Sequence, residues 1–132
     1  MLNSIFVNLP VKNLKRSIDF FTGLGFKFNP QFTDETSTCM IVSDAIYVML
    51  LEHDKFLSFY GKPIASPDTT ETMLAFACES ADEVRNLSER AFELGAKKLN
   101  EPQDLGFMFS WGFEDLDGHI WELFYMNPDH IQ

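Results

Sequence analysis

Cysteine, histidine and basic residues are scarce in this 132-residue chain, and long apolar runs are absent. The two cysteines, Cys39 and Cys78, both lie inside apolar segments, which argues against a disulfide framework or a thiolate metal site and fits a reducing compartment. No stretch approaches the ~18 consecutive apolar residues of a membrane span. The amino terminus also lacks the basic region and apolar run of a signal peptide. We therefore expect a single soluble, cytoplasmic domain.

Bases are outnumbered by acids, since ten lysines and arginines face twenty aspartates and glutamates and the formal net charge is −10. A surface that follows nucleic-acid phosphates needs an excess of positive charge, and so does a surface that binds an anionic membrane. The composition therefore predicts neither a nucleic-acid partner nor a membrane partner. The apolar fraction of 45% and the 14 phenylalanines are ample for a core at this length.

One pattern of strand, cap, helix and glycine occurs twice along the chain. In the first copy the β-prone segment 5–11 precedes Asn13, a residue type that caps helices. In the second copy the segment 72–78 precedes Ser80, which forms a capping-box pattern with Glu83. Three strand candidates follow each helix, at 26–32, 38–42 and 46–51 in the first copy and at 97–100, 107–113 and 119–126 in the second.

The register of this repeat can be written down from its caps and hairpins. The caps Asn13 and Ser80 are offset by 67 positions, and the hairpin residues Asp44 and Asp117 by 73, so the second copy holds about six extra residues. We predict an α+β fold in one domain, 1–132, built from two tandem βαβββ modules at about 1–54 and 71–132 with a linker at about 55–70. We expect the modules to form a curved mixed sheet around a central cavity, with the helices on the outer face.

Alternation along the strands divides the side chains between two faces of each sheet. The helices need an apolar surface, and the uniformly apolar sets serve that role. The opposite face combines small residues with a few polar ones, which is typical of a ligand pocket. Its candidate ligand-binding residues are Phe6, Asn8, Tyr47, Met49, Met73, Ala75, Ser110 and Phe124, together with Glu122.

Glu122 stands in the otherwise apolar strand segment 120–125. An isolated ionised carboxylate in a dry interior costs several kcal/mol, so it needs a partner or water. Two interpretations remain open: a glutamate that faces solvent, or a carboxylate on the floor of a pocket.

The three histidines show no metal-ligand spacing. His119 follows the turn residues Asp117 and Gly118, so we predict that it is exposed. His53 follows a strand end and His130 lies in the carboxyl-terminal tail, and both are predicted to be solvated.

The sequence resembles the vicinal oxygen chelate superfamily, which includes glyoxalase I, bleomycin-resistance proteins and extradiol dioxygenases. The resemblance rests on the strand-to-helix opening at 6–21 and 24–26, and on the Asp-Gly hairpin and terminal glutamate at 113–123. It implies four metal-ligand positions, which fall on Phe6, Met49, Met73 and Glu122 here. Because only Glu122 is a ligand type, we expect no metal and no other cofactor. The alternative is nickel, zinc or manganese with Glu122 as the sole retained ligand.

Three functions remain open. The first is a glyoxalase- or bleomycin-resistance-like protein that binds a small, largely apolar molecule in a pocket without the usual metal ligands. The second is an enzyme, a lactoylglutathione-lyase-type or other small-molecule lyase or isomerase, with Glu122 as general base. The third is a scaffold whose pocket is filled by methionine and phenylalanine. The resemblance also implies a homodimer.

Overall fold

The computed structural model describes residues 1–130 apart from the side chain of His130, whose predicted exposure therefore lies outside the described residues. The chain divides into two compact units, Met1–Ile64 and a second that begins at Ala65. Each unit contains a four-stranded mixed sheet and at least one helix, so the predicted α+β class is confirmed. The elements of the first unit are β1 (Ile5–Val11), α1 (Leu14–Gly23), β2 (Lys27–Phe28), β3 (Ser37–Ile41), β4 (Ile46–Glu52) and α2 (His53–Tyr60).

The second unit repeats the order strand, helix and three strands. Among residues 1–130, no helix is long and apolar enough to span a membrane. The elements of the second unit are β5 (Met73–Ala77), α3 (Ala81–Glu93), β6 (Gln103–Asp104), β7 (Met108–Glu114) and β8 (Ile120–Met126).

Both major helices begin at the predicted caps. The side chain of Asn13 accepts a hydrogen bond from the backbone amide of Arg16 at 3.0 Å. Ser80 accepts one from the backbone amide of Glu83 at 3.0 Å, and the Glu83 carboxylate accepts one from the amide of Glu79 at 2.8 Å. These contacts satisfy amide donors that have no partner within the helix, which fixes where each helix starts.

Strand pairing confirms the register of the repeat. In the first sheet β1 runs parallel to β4, with Ile5 opposite Ile46, so paired residues are 41 positions apart. In the second sheet β5 runs parallel to β8, with Met73 opposite Ile120, a separation of 47. The difference is the six extra residues predicted for the second copy.

The predicted core faces are confirmed, but the opposite faces are only partly open, because Leu51 and Ser110 alternate onto them and are 1% and 6% exposed. Leu9, Val48 and Leu50, predicted to face the helix, are at most 2% exposed. In the second unit Trp121 is 2% exposed and stacks between Phe76 and Phe113, with ring centroids 5.6 and 6.4 Å away. These apolar faces form the two cores, so the opposite faces carry the candidate site residues.

Two predicted strands are wrong in extent. The segment predicted at 26–32 stops being a strand after Phe28, because Pro30 begins a 3-10 helix (Pro30–Phe32) and has no amide to donate to a sheet. The side chain of Asn29 caps that helix. The segment predicted at 97–100 forms only an isolated bridge between Lys97 and Glu114. The strand that was predicted there is instead the two-residue β6 (Gln103–Asp104).

Candidate functional site

The candidate residues of module one lie side by side on the sheet face opposite the core. Phe6 is paired with Tyr47 and Asn8 with Met49 across β1 and β4. The rings of Phe6 and Tyr47 stack, with centroids 4.5 Å apart and planes 14° from parallel. Phe6 is nevertheless 49% exposed, so this apolar surface is open rather than packed in a core.

Asn8 supplies the polar group of this face. It is exposed, and its amide nitrogen donates to the carbonyl oxygen of Phe6 at 3.3 Å. Met49 beside it is half-buried, and Cys39, opposite Met49 on β3, is buried at 1% exposure. Burial raises the pKa of the Cys39 thiol, so this cysteine is a neutral apolar neighbour rather than a nucleophile.

The candidate residues of module two also share one sheet face. Glu122 on β8 lies between Ala75 on β5 and Gly112 on β7, the two smallest residue types. Phe124 lies between Ala77 and Ser110 in the same way. Met73, opposite Ile120, is 63% exposed. Glu122 is half-buried, which is compatible with a glutamate that faces solvent and with a carboxylate on the floor of a pocket.

Gly112 is required by the close approach of β7 to β8. A methyl group in place of its hydrogen would collide with the carbonyl oxygen of Trp121 and lie 3.2 Å from the Cα atom of Glu122. Both atoms are backbone atoms, so the strand itself would have to move. Gly112 therefore helps to set the position of the Glu122 backbone.

Gly112→Ala is expected to destabilise the protein by about 1–3 kcal/mol through this overpacking. The measurement is urea unfolding, together with the amide chemical shifts of β8, which we expect to change most around Glu122. Gly106→Ala is the comparison variant: a methyl group there meets nothing within 4 Å, so it carries only the strain of its φ of 83° and should leave the β8 shifts unchanged. Unchanged β8 shifts in the Gly112 variant would show that the strands are not held this closely.

The residues present do not fit the metal site that the family resemblance implies. At the four corresponding positions Phe6, Met49 and Met73 offer no oxygen or nitrogen ligand, and only Glu122 does. Within residues 1–130, no group of three histidine, cysteine, aspartate or glutamate side chains is arranged to hold a metal ion. One carboxylate is too few ligands for a catalytic divalent ion.

The prediction that His119 is exposed is wrong. Its side chain is 10% exposed, and its Nδ1 atom lies 3.0 Å from the Oε1 atom of Glu71. Glu71 belongs to the segment before β5, which borders a small surface recess beside Gly118. His119 therefore connects this segment to the β7–β8 hairpin.

Asp115, a residue of the hairpin turn that was not predicted as a site residue, organises the same hairpin. It is 6% exposed, and its Oδ1 atom accepts hydrogen bonds from the amides of Asp117 and His119 at 2.9 and 3.0 Å. Its Oδ2 atom accepts one from the indole nitrogen of Trp121 at 2.8 Å. Burial raises the pKa of Asp115, while His119 and these donors act in the opposite direction. Aspartate side chains often accept a hydrogen bond from the backbone amide two residues further along a turn, so the local sequence already indicates this role.

Comparison with known proteins agrees with two repeated βαβββ modules. The family model of the Glyoxalase/Bleomycin resistance protein/Dioxygenase superfamily matches residues 3–123. The chain belongs to this superfamily. No curated protein matches it.

Solved structures show the same fold. A hypothetical protein from S. aureus is 28% identical, with a TM-score of 0.80 and 95% of each chain covered. A glyoxalase-related enzyme from Fulvimarina pelagi is 20% identical, with a TM-score of 0.79, and covers 95% of this chain and 88% of its own. The fosfomycin resistance protein FosX from Listeria monocytogenes is 23% identical, with a TM-score of 0.70, and covers 95% of this chain and 92% of its own.

Proposed function

We propose that this protein binds a small, largely apolar molecule without the help of a metal ion. The observation that carries the proposal is the open apolar surface, one on each module, where the family resemblance implies metal ligands. Phe6 is 49% exposed and Met73 is 63% exposed. Apolar side chains left open on a sheet face gain free energy when a ligand removes them from water, at about 25 cal/mol per Å².

Polar groups on the same faces would give the ligand its orientation. Asn8 is exposed beside Phe6, and Glu122 is half-buried between two small residues. A few polar groups within an apolar surface are typical of small-molecule sites. The two polar groups can be tested separately, because Asn8→Ala alters only module one and Glu122→Gln alters only module two.

Native mass spectrometry of protein purified without chelator tests this function. We expect an organic molecule to remain bound, or to bind when added, and we expect no stoichiometric metal. Titration calorimetry with nickel, zinc and manganese is the companion measurement. A micromolar site of one ion per chain that disappears in Glu122→Gln would overturn the metal-free proposal. A chain that binds neither metal nor organic molecule would indicate the scaffold instead.

A second candidate function is a lyase or isomerase of the lactoylglutathione type with Glu122 as general base. The half-buried position of Glu122 beside Ala75 favours it, because a small neighbour leaves room for a substrate carbon near the carboxylate. Turnover of the methylglyoxal–glutathione hemithioacetal that is lost in Glu122→Gln but kept in Glu114→Gln would support this candidate. The homodimer stays a prediction.

A further inference from the structure

We propose that the ligand of the open face of module one contains a flat aromatic ring, which stacks on the side of Phe6 that Tyr47 leaves free. This inference rests on the proposed binding function and narrows its ligand class. It depends on module one alone.

The geometry of the aromatic pair leaves one ring face available. Neighbouring strands lie about 4.7–4.9 Å apart, and the Phe6 and Tyr47 centroids are 4.5 Å apart with planes 14° from parallel. The two rings therefore stand over adjacent strands and face each other. Because β1 is the edge strand of its sheet, Tyr47 on β4 covers only one side of Phe6. The 49% exposure of Phe6 agrees with an open second face.

The stacked rings of Phe6 and Tyr47 are held in place before a ligand binds. The hydroxyl of Tyr47 donates to the carbonyl oxygen of Asp44 at 2.8 Å, which fixes the far end of that ring. Tyr47 is half-buried, and its near face contacts Phe6. A ligand ring would extend this stack to three members without first ordering the side chains, so less of the binding energy is lost to entropy.

The charge and the polar neighbour define the ligand further. An aromatic ring face is electron-rich, and the chain carries a net charge of −10, so an anionic ligand is disfavoured. Asn8 lies two residues along β1 on the same face and is exposed, so its amide is available to a hydroxyl or carbonyl substituent. The structure thus points to an uncharged or cationic aromatic molecule with one hydrogen-bonding group.

A pair of probes that differ only in aromaticity tests this inference. 2-Naphthalenemethanol and its fully saturated decalin analogue have similar apolar area and the same hydroxyl, and their affinities are measured by NMR titration of the labelled chain. Stacking adds about 0.5–1.5 kcal/mol beyond area burial, so we expect the naphthalene probe to bind about 2- to 12-fold more tightly. The ring current of the bound naphthalene should shift the resonances of Phe6.

Phe6→Leu keeps an apolar side chain but removes the ring, and it should abolish the preference for the aromatic probe. Phe32→Leu is the matched control, because Phe32 is 57% exposed elsewhere in module one. Equal binding of both probes would leave the proposed function standing and overturn the aromatic inference. Failure of both probes to bind would count against the proposed function and the inference together. A preference that survives Phe6→Leu would also overturn the inference.

Discussion

Replacing Asp115 with alanine is expected to lower the free energy of unfolding by about 3–4 kcal/mol. The carboxylate accepts hydrogen bonds from the amides of Asp117 and His119 and from the indole of Trp121. Trp121 is 2% exposed, so its N–H group cannot turn to water after the substitution. The cost therefore comes mainly from donors left without partners. Urea unfolding at neutral pH, followed by tryptophan fluorescence and circular dichroism, measures it.

Two further variants separate this explanation from a simple loss of packing. Asp115→Asn keeps an oxygen for the backbone amides but can present an NH₂ group to the indole, so it should cost less than alanine. Trp121→Phe removes the indole donor, and Asp115→Ala should cost less in that background than in the wild type. Additive effects in this double-mutant cycle would contradict a direct contribution from the Trp121–Asp115 bond.

The Asp115 hydrogen bonds bear on function through the register of the last hairpin. The amide of Asp115 donates to the carbonyl oxygen of His119 at 2.8 Å, which closes the turn just before β8 begins at Ile120. That turn sets Gly112 opposite Glu122. A slip of one residue would move Glu122 to the opposite face of the sheet. The buried aspartate thus helps to keep the candidate carboxylate on the open face.

The features that could be predicted from the sequence are those that repeat or alternate. The two caps at Asn13 and Ser80 act on amides only three residues away, so local sequence specifies them. Successive side chains of a strand point to opposite faces of the sheet, so the face of Leu50 and of its neighbours follows once β4 is recognised as a strand. The six-residue offset between the modules follows from counting alone.

The burial of His119 could not be predicted because its partner lies far away in the chain. Glu71 is 48 positions earlier, in a segment whose conformation no local pattern specifies. The Phe6–Tyr47 stack depends likewise on two rotamers in paired strands, although the pairing itself is predictable. The end of β2 at Phe28 is different, because Pro30 is a local signal that a strand cannot continue.

Two neighbouring residues of β4 test whether the core face and the open face are assigned correctly. Leu50 is 0% exposed on the helix side, whereas Met49 is half-buried on the opposite side. We expect Leu50→Ala to lower the free energy of unfolding by about 2–5 kcal/mol, because it leaves a cavity in the core of module one. Met49→Ala should cost about 1 kcal/mol or less, since solvent or a ligand can fill the space.

Each of these variants serves as the control for the other, because both put alanine into the same strand and so share any change in strand propensity. Urea unfolding gives the stability difference, and binding of 2-naphthalenemethanol gives the functional one. We expect Met49→Ala to alter that affinity while the protein stays folded. Similar losses of stability from the two variants would mean that both faces of β4 are packed, and the open face on which ligand binding depends would then not exist.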